Sequence, residues 1–351
     1  MKPVHLTLIF FCLPFCASAE VYDLPPAGND VVGAVTVVKA RADDTLLDIA
    51  RRHGLGYEDI VRANPDVDTW LPGEGTEVVL PTRYVLPSGE RRGLILNLAE
   101  YRLYYFPDTA EGETPVVMTY PMSIGRMDWE TPLGLTRVIS KVTNPTWYPP
   151  ASVRAEHEAD GDPLPAIVPP GPNNPLGKHA MRLGLPGYLI HGTNRPAGVG
   201  MRVTHGCIRL FPEDIDFLFG KIAIDTPVRI INEPVKMGWD GDTLVVEVHR
   251  TLETSPEIPT VDEPQRPELE NAGEDDTDPA EVVVSDPPFE RDRLTLLTEQ
   301  FVAATNDRPA ALDWDIAEQL LERADGIPAI AGTEIKNAAT SAASEELVDS
   351  L

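Results

Sequence analysis

The sequence predicts a mainly β protein, with a small α+β module in front and an acidic spacer and short C-terminal helices behind. Three observations carry that reading. Proline is abundant, at 35 of 351 residues, which favours turns and extended connections over long helices. Between residues 93 and 232 the apolar residues fall in short β-branched and aromatic runs bounded by turn signals, with little helical periodicity. From 251 to 290 the chain carries 13 acidic residues, seven prolines and one arginine, a composition that cannot bury enough apolar surface to offset its ordering entropy.

Residues 1–19 read as a secretory signal peptide. Lys2 supplies the positive start, 6–15 the apolar stretch, and Ala17-Ser18-Ala19 the small-x-small cleavage pattern. The competing reading is a transmembrane anchor, but the apolar run is shorter than the roughly 20 residues a bilayer requires. Cleavage after Ala19 exports the chain and leaves no transmembrane segment. It also removes Cys12 and Cys16, so the mature protein keeps only Cys207. A lone cysteine in an oxidising compartment is a buried inert residue, an intermolecular crosslink or a reactive thiol.

Residues 35–82 form a compact unit. A β-type run at 35–38 precedes Asp43-Asp44-Thr45, which has the character of a helix N-terminus ahead of Leu46, Leu47, Ile49 and Ala50. A second short helix fits 57–63 and ends at Asn64-Pro65; a turn at Leu71-Pro72-Gly73 then leads to a strand at 76–80. In the 93–232 region, strands are expected at 94–98 and 101–106 around a turn at Ala99-Glu100, then at 116–120 and 135–139. The best helical candidate there is 213–219, after Pro212. Residues 233–250 add a hairpin turning at Trp239-Asp240-Gly241-Asp242, assigned to the same unit. The acidic stretch 251–290 reads as a disordered linker, and 291–351 as a helical or partly disordered tail with amphipathic patterns at 293–304 and 314–324.

The net charge of −27 excludes nucleic acid as a partner, because phosphate binding needs a basic surface. The chemistry concentrates between His191 and Arg209. A cysteine nucleophile needs a thiolate, and a free thiol with pKa about 8.5 is only slightly ionised at neutral pH. A histidine within hydrogen-bond reach can take that proton and later return it to a leaving amine. His191 follows an apolar run, which suits the end of a strand, and Cys207 comes sixteen positions later, enough for a loop to bring them together. Gly192 and Gly206 let backbone approach a substrate closely, and N–H groups around Gly206 and Cys207 suit an oxyanion hole. Arg209 faces the same way as Cys207 if the strand continues, and can hold a carboxylate.

Here the sequence resembles a known family. His191-Gly192-Thr193-Asn194 and Thr204-His205-Gly206-Cys207-Ile208-Arg209 are similar to the two motifs of the L,D-transpeptidase (YkuD) catalytic domain, within it the ErfK/YbiS subfamily. Flanking blocks agree: Ser123-Ile124-Gly125-Arg126 with Trp129, Thr131-Pro132-Leu133-Gly134, Pro145-Thr146-Trp147-Tyr148, and Asn174-Pro175-Leu176-Gly177. The 35–82 unit resembles a LysM module through Asp44-Thr45-Leu46, Ile60, Asn64-Pro65 and Val78-Val79-Leu80, with Asp43 where glycine is usual.

The resemblance implies a β-rich YkuD-like catalytic domain behind a small LysM-like module, acting on peptidoglycan in the periplasm of a diderm bacterium. Cys207 is the implied nucleophile and His191 the base, with His205 in support and Arg209, Asn194, Thr193 and Arg202 at the substrate. The implied partners are stem peptides and glycan. The implied acyl acceptor is the amine of a second stem peptide, giving a 3→3 crosslink, or a lysine of an outer-membrane lipoprotein. No cofactor is implied.

Three other readings compete. His191, His205 and Cys207 suit zinc in ligand type, but a structural site wants four ligands and no second mature cysteine exists. A Cys–His hydrolase with water as acceptor shares the same acyl-enzyme. A non-catalytic wall-binding protein would use the LysM-like unit alone, and would have no use for Cys207 and His191. His53, His157, His179 and His249 lack partners at motif spacing and read as surface or structural.

Overall fold

The computed structural model describes residues 20–127, 129–252 and 292–336. The expected signal peptide therefore lies outside the described residues. The N-terminal part contains β1 (Glu20–Asp23), β2 (Val31–Gly33), β3 (Thr36–Lys39), α1 (Leu46–Arg52), α2 (Tyr57–Ala63), β4 (Glu77–Leu80) and β5 (Arg83–Val85). Strand β3 pairs antiparallel with β4, and the two helices close over Leu46, Ile49, Leu55, Ile60, Val78 and Leu80. Thr45 starts α1 with a capping box: its hydroxyl accepts from Asp48 N at 3.1 Å, and Asp48 Oδ2 accepts from Thr45 N at 3.0 Å. Asn64 ends α2 and ties it to β4, donating to the carbonyls of Ile60 and Val79 and accepting from Val79 N.

The central part contains β6 (Gly93–Asn97), β7 (Arg102–Phe106), β8 (Val116–Pro121), β9 (Ile124–Gly125), β10 (Gly134–Thr143), α3 (Ala151–Ala159), β11 (His179–Leu183), β12 (Leu189–His191), β13 (Arg202–Thr204), β14 (Ile208–Arg209), α4 (Pro212–Lys221) and β15 (Pro227–Ile231). Nine strands make one sheet in the order β1-β8-β7-β6-β15-β10-β11-β12-β14. Two neighbouring pairs are parallel, β15 with β6 and β12 with β14. Helix α4 begins at Pro212, whose missing N–H would have no helical partner in any case, and buries Ile215 and Leu218 under the sheet. Helix α3 escapes the periodicity argument because it buries only Val153.

The C-terminal part differs from the sequence reading. It contains β16 (Val235–Asp240), β17 (Thr243–Val248), α5 (Arg293–Thr305), β18 (Ala310–Leu312), α6 (Trp314–Arg323) and β19 (Ala329–Glu334). The sequence assigns 233–250 to the catalytic unit, yet this hairpin is half of a separate sheet, β16-β17-β19-β18. The helices of the tail pack on that sheet around Trp239, Leu244, Val246, Leu297 and Leu320. The elements on either side of the acidic stretch, β17 and α5, both belong to this unit; the linker expected at 251–290 falls almost wholly on 253–291, which lie outside the described residues. Strands β18 and β19 include small residues, and only the pairing of β19 with distant β17, and of β18 with β19, reveals them.

A buried charge cluster joins this unit to the central sheet. Lys236 Nζ lies 2.6 Å from Glu100 Oε2 and 2.9 Å from Glu247 Oε1, all three side chains at most 1% exposed. Tyr104 donates to Glu100 at 2.9 Å, Val85 N to Glu247 at 2.6 Å, and His249 Nε2 sits 2.6 Å from Glu247 Oε1. Burial raises the Glu247 carboxyl, but the Lys236 ammonium and the His249 ring together outweigh it and hold that group well below the usual carboxylate range. Glu100, Glu247 and His249 would suit a metal ion by type and spacing, but the Lys236 ammonium already lies between the carboxylates. Replacing Lys236 with Met leaves the two buried carboxylates without their cation. We expect a loss of about 3 kcal/mol or more in urea unfolding; an unchanged midpoint would contradict this account.

Candidate active site

The site rests on the parallel pair β12–β14. Its register sets Ile190 beside Ile208 and His191 beside Arg209. Both isoleucines are essentially fully buried in the main core. By the two-residue alternation of a strand, Leu189, His191, Cys207 and Arg209 therefore project from the opposite face. Leu189 and Cys207 indeed pack in one small cluster with Leu176, Val142 and Trp147.

His191 is buried, and its Nδ1 lies 2.6 Å from the carbonyl oxygen of Gly192. A carbonyl only accepts, so Nδ1 carries the proton and Nε2 presents a lone pair. Burial, and next the Arg209 cation, push His191 down to about 3, so the ring is neutral at physiological pH. The Cys207 thiol donates weakly to the Gly187 carbonyl at 3.6 Å, and burial pushes it up to about 11. The resting pair is a neutral thiol and a neutral imidazole.

The turn before Cys207 is held from several sides. Thr204 Oγ1 donates to the Cys207 carbonyl at 2.6 Å, and Thr131 Oγ1 donates to the Gly206 carbonyl at 2.7 Å. Gly206 adopts φ +95°, and a Cβ there would lie 2.8 Å from Tyr188 Cε1, so both conformation and space demand glycine. Gly192 is similarly tight, with Ile215 Cγ2 3.0 Å from where a Cβ would stand.

The remaining sequence candidates divide. Arg209 stands beside His191, and its buried Nε has no hydrogen-bond partner among the described residues. Thr193 is buried, accepting from Arg195 N at 2.9 Å, while Asn194 is exposed and donates to the Asn173 carbonyl at 3.1 Å. Both line a polar pocket of about 270 Å³ with Asn144, Asn174 and Lys178, past the end of β12. Arg202 is engaged by protein, through the Gly125 carbonyl at 3.0 Å and Glu130 at 3.4 Å. His205 Nε2 lies 3.1 Å from Glu156 Oε2, and its ring meets Trp129 edge-on at 5.2 Å. Glu156 also pairs with Arg126 at 2.5 Å; the Arg126 and His205 contacts hold its carboxyl at about 2. Glu156 is the residue that motif reading misses, because α3 carries no motif and reaches the site only through the fold.

The catalytic-domain profile of the L,D-transpeptidases (YkuD) matches residues 91–230. The chain is 42% identical over 252 residues to the Escherichia coli protein named "Probable L,D-transpeptidase YbiS", spanning 70% of this chain and 81% of that one. It is 42% identical over 242 residues to "Probable L,D-transpeptidase YcfS" of the same organism, spanning 67% and 74%. It is 41% identical over 235 residues to "Probable L,D-transpeptidase ErfK/SrfK" of Salmonella typhimurium, spanning 66% and 74%.

The raised thiol has a direct readout. Iodoacetamide alkylation of folded protein should keep climbing with pH beyond 9.5, because the thiolate forms only as pH approaches about 11. In denaturant the midpoint should return to roughly 8.5. A folded-state plateau below pH 9 would contradict the burial argument.

Proposed function

The chain belongs to the L,D-transpeptidase family, and on that footing we propose that Cys207 joins peptidoglycan stem peptides by two-step acyl transfer. The observation that carries this reading is the β12–β14 register, which puts a neutral His191, Cys207 and Arg209 on one face. In the first step His191 Nε2 takes the thiol proton as sulfur attacks the carbonyl between diaminopimelate and the fourth-position D-alanine. With the thiol near 11 and the imidazole near 3, a free ion pair is uphill, so proton transfer is coupled to attack. N–H groups at Gly206 and Cys207 are the candidate oxyanion donors. The imidazolium returns the proton to the departing amine, D-alanine leaves, and a thioester remains on Cys207. An acceptor amine then attacks the thioester, His191 takes its proton, and the released sulfur is reprotonated. The acceptor is a diaminopimelate amine of a second stem or a lipoprotein lysine. No cofactor enters this balance.

The βααβ module in front supports a glycan-binding role. Its turn between α2 and β4 exposes Trp70 and Leu71, at 64% and 71%, an apolar pair on a polar module where a sugar face could stack. The proposed compartment is the periplasm, reached through the 1–19 segment. Among the described residues no helix is long and apolar enough to cross a membrane.

Intact mass of the mature protein with a carbapenem should give a drug-sized adduct that Cys207→Ala abolishes. With a disaccharide-tetrapeptide, D-alanine should appear together with a linked muropeptide; tripeptide alone would move the assignment to a hydrolase. Release of D-alanine should persist to pH 5, since His191 stays unprotonated down to about 3; an acid limb near 6.5 would remove it as a buried base. Trp70→Ala should weaken binding to insoluble peptidoglycan at least fivefold while leaving acylation by the drug intact, and equal retention by both proteins would overturn the glycan role.

A further inference from the structure

The loop from Gly192 to Gly206 determines where Cys207 stands relative to His191, and part of its support comes from outside the catalytic sheet. Helix α2 opens with N–H groups that have no partner inside the helix. Two of them are satisfied by that loop: Tyr57 N donates to the Val199 carbonyl at 3.0 Å, and Glu58 N to the Gly200 carbonyl at 3.3 Å. The adjoining Gly198 carbonyl accepts from Ser123 Oγ at 2.8 Å. The approach is backbone on backbone, since a Cβ on Gly56 would stand 2.7 Å from Gly200 Cα.

A second attachment lies on the other side of the nucleophile. Arg51 of α1 makes a bidentate pair with Glu213, both contacts 2.7 Å, and its guanidinium stacks 5.3 Å above Phe211. Phe211 and Glu213 follow β14 directly, at the entry to α4. Cys207 is thus bracketed in sequence by two points of attachment to one small module. A third attachment, Asp59 with Arg102 at 2.6 Å, fixes that module to β7. Between the first two lies a cleft of about 220 Å³, lined by Leu47, Tyr57, Pro196 and Phe211 among others, so contact is made at a few defined points.

A module that served only to tether the enzyme to its substrate would need a linker and no bonds to the catalytic loop. We infer that the N-terminal module is a positioning element of the active site: the start of α2 holds the loop before Cys207, Arg51 holds the segment after it, and together they set the nucleophile against His191. This rests on the transacylation reading only for its activity readout.

The decisive variant is Gly56→Ala in the mature full-length protein. Gly56 has φ −90° and ψ 175°, which alanine adopts freely, so the added methyl acts through Gly200. With a glycan-free tetrapeptide, chosen so that sugar affinity plays no part, kcat for D-alanine release should fall roughly tenfold while KM stays within twofold. The melting temperature should stay within a few degrees, and the rate of Cys207 alkylation should change at least threefold. Arg51→Glu and Glu213→Arg should each lower kcat, and the double exchange should recover at least half of it. Wild-type kcat and alkylation in folded Gly56→Ala would overturn the inference. So would failure of the double exchange to recover. If Gly56→Ala does not fold, the charge exchange decides alone. If the wild type releases no D-alanine, the transacylation reading falls, while the alkylation comparison still decides this one.

Discussion

The structure depends on a two-residue parallel pairing at the edge of a nine-stranded sheet. Parallel neighbours need a crossover between them, and here the crossover is the loop between His191 and Cys207. Ile190 and Ile208 anchor the pair in the core; a slip of one residue would send the histidine and the thiol to the opposite face. So short a ladder cannot hold itself. Its supports are the Thr204 and Thr131 hydroxyls, the tight turn at Gly206, the helix α4 that follows, and the N-terminal module that meets the loop at Gly200.

Electrostatics at the site follow from the same burial. Removing water disfavours both charged forms, thiolate and imidazolium, so the pair rests uncharged. A neutral thiol is less exposed to adventitious oxidation in an oxidising compartment than a thiolate. Arg209 biases the system in one direction: its cation favours negative charge on sulfur or on a nearby oxyanion and disfavours a standing imidazolium. On the proposed mechanism, charge is therefore created only when a carbonyl is present to receive the sulfur.

Away from the site, charge serves a different purpose. Lys236, Glu100 and Glu247 form a buried triad where the C-terminal unit meets the central sheet, and every member has further hydrogen-bond partners. Such a cluster adds little net stability over an apolar contact, but it tolerates few alternative alignments, so it favours one docking of the two units. Arg102 with Asp59 plays the same part between the central sheet and the N-terminal module.

Much of this protein was legible in its sequence because the information was local. The helix start at Thr45, the stop at Asn64-Pro65, the β6–β7 and β16–β17 hairpins and the start of α4 at Pro212 all follow from capping, proline sterics and alternation, which act within a few residues. The proposed nucleophile and base, Cys207 and His191, sit in two motifs that bring their own glycines and hydroxyl. The tertiary structure alone decided where those pieces meet. Glu156 reaches His205 from a helix with almost no buried face, and Arg51 reaches Glu213 across 162 positions of chain. Strand β19 joins a sheet whose first half, β16 and β17, precedes the whole acidic segment in sequence. Those contacts depend on long-range packing, and packing leaves no periodic trace in the residues that take part in it.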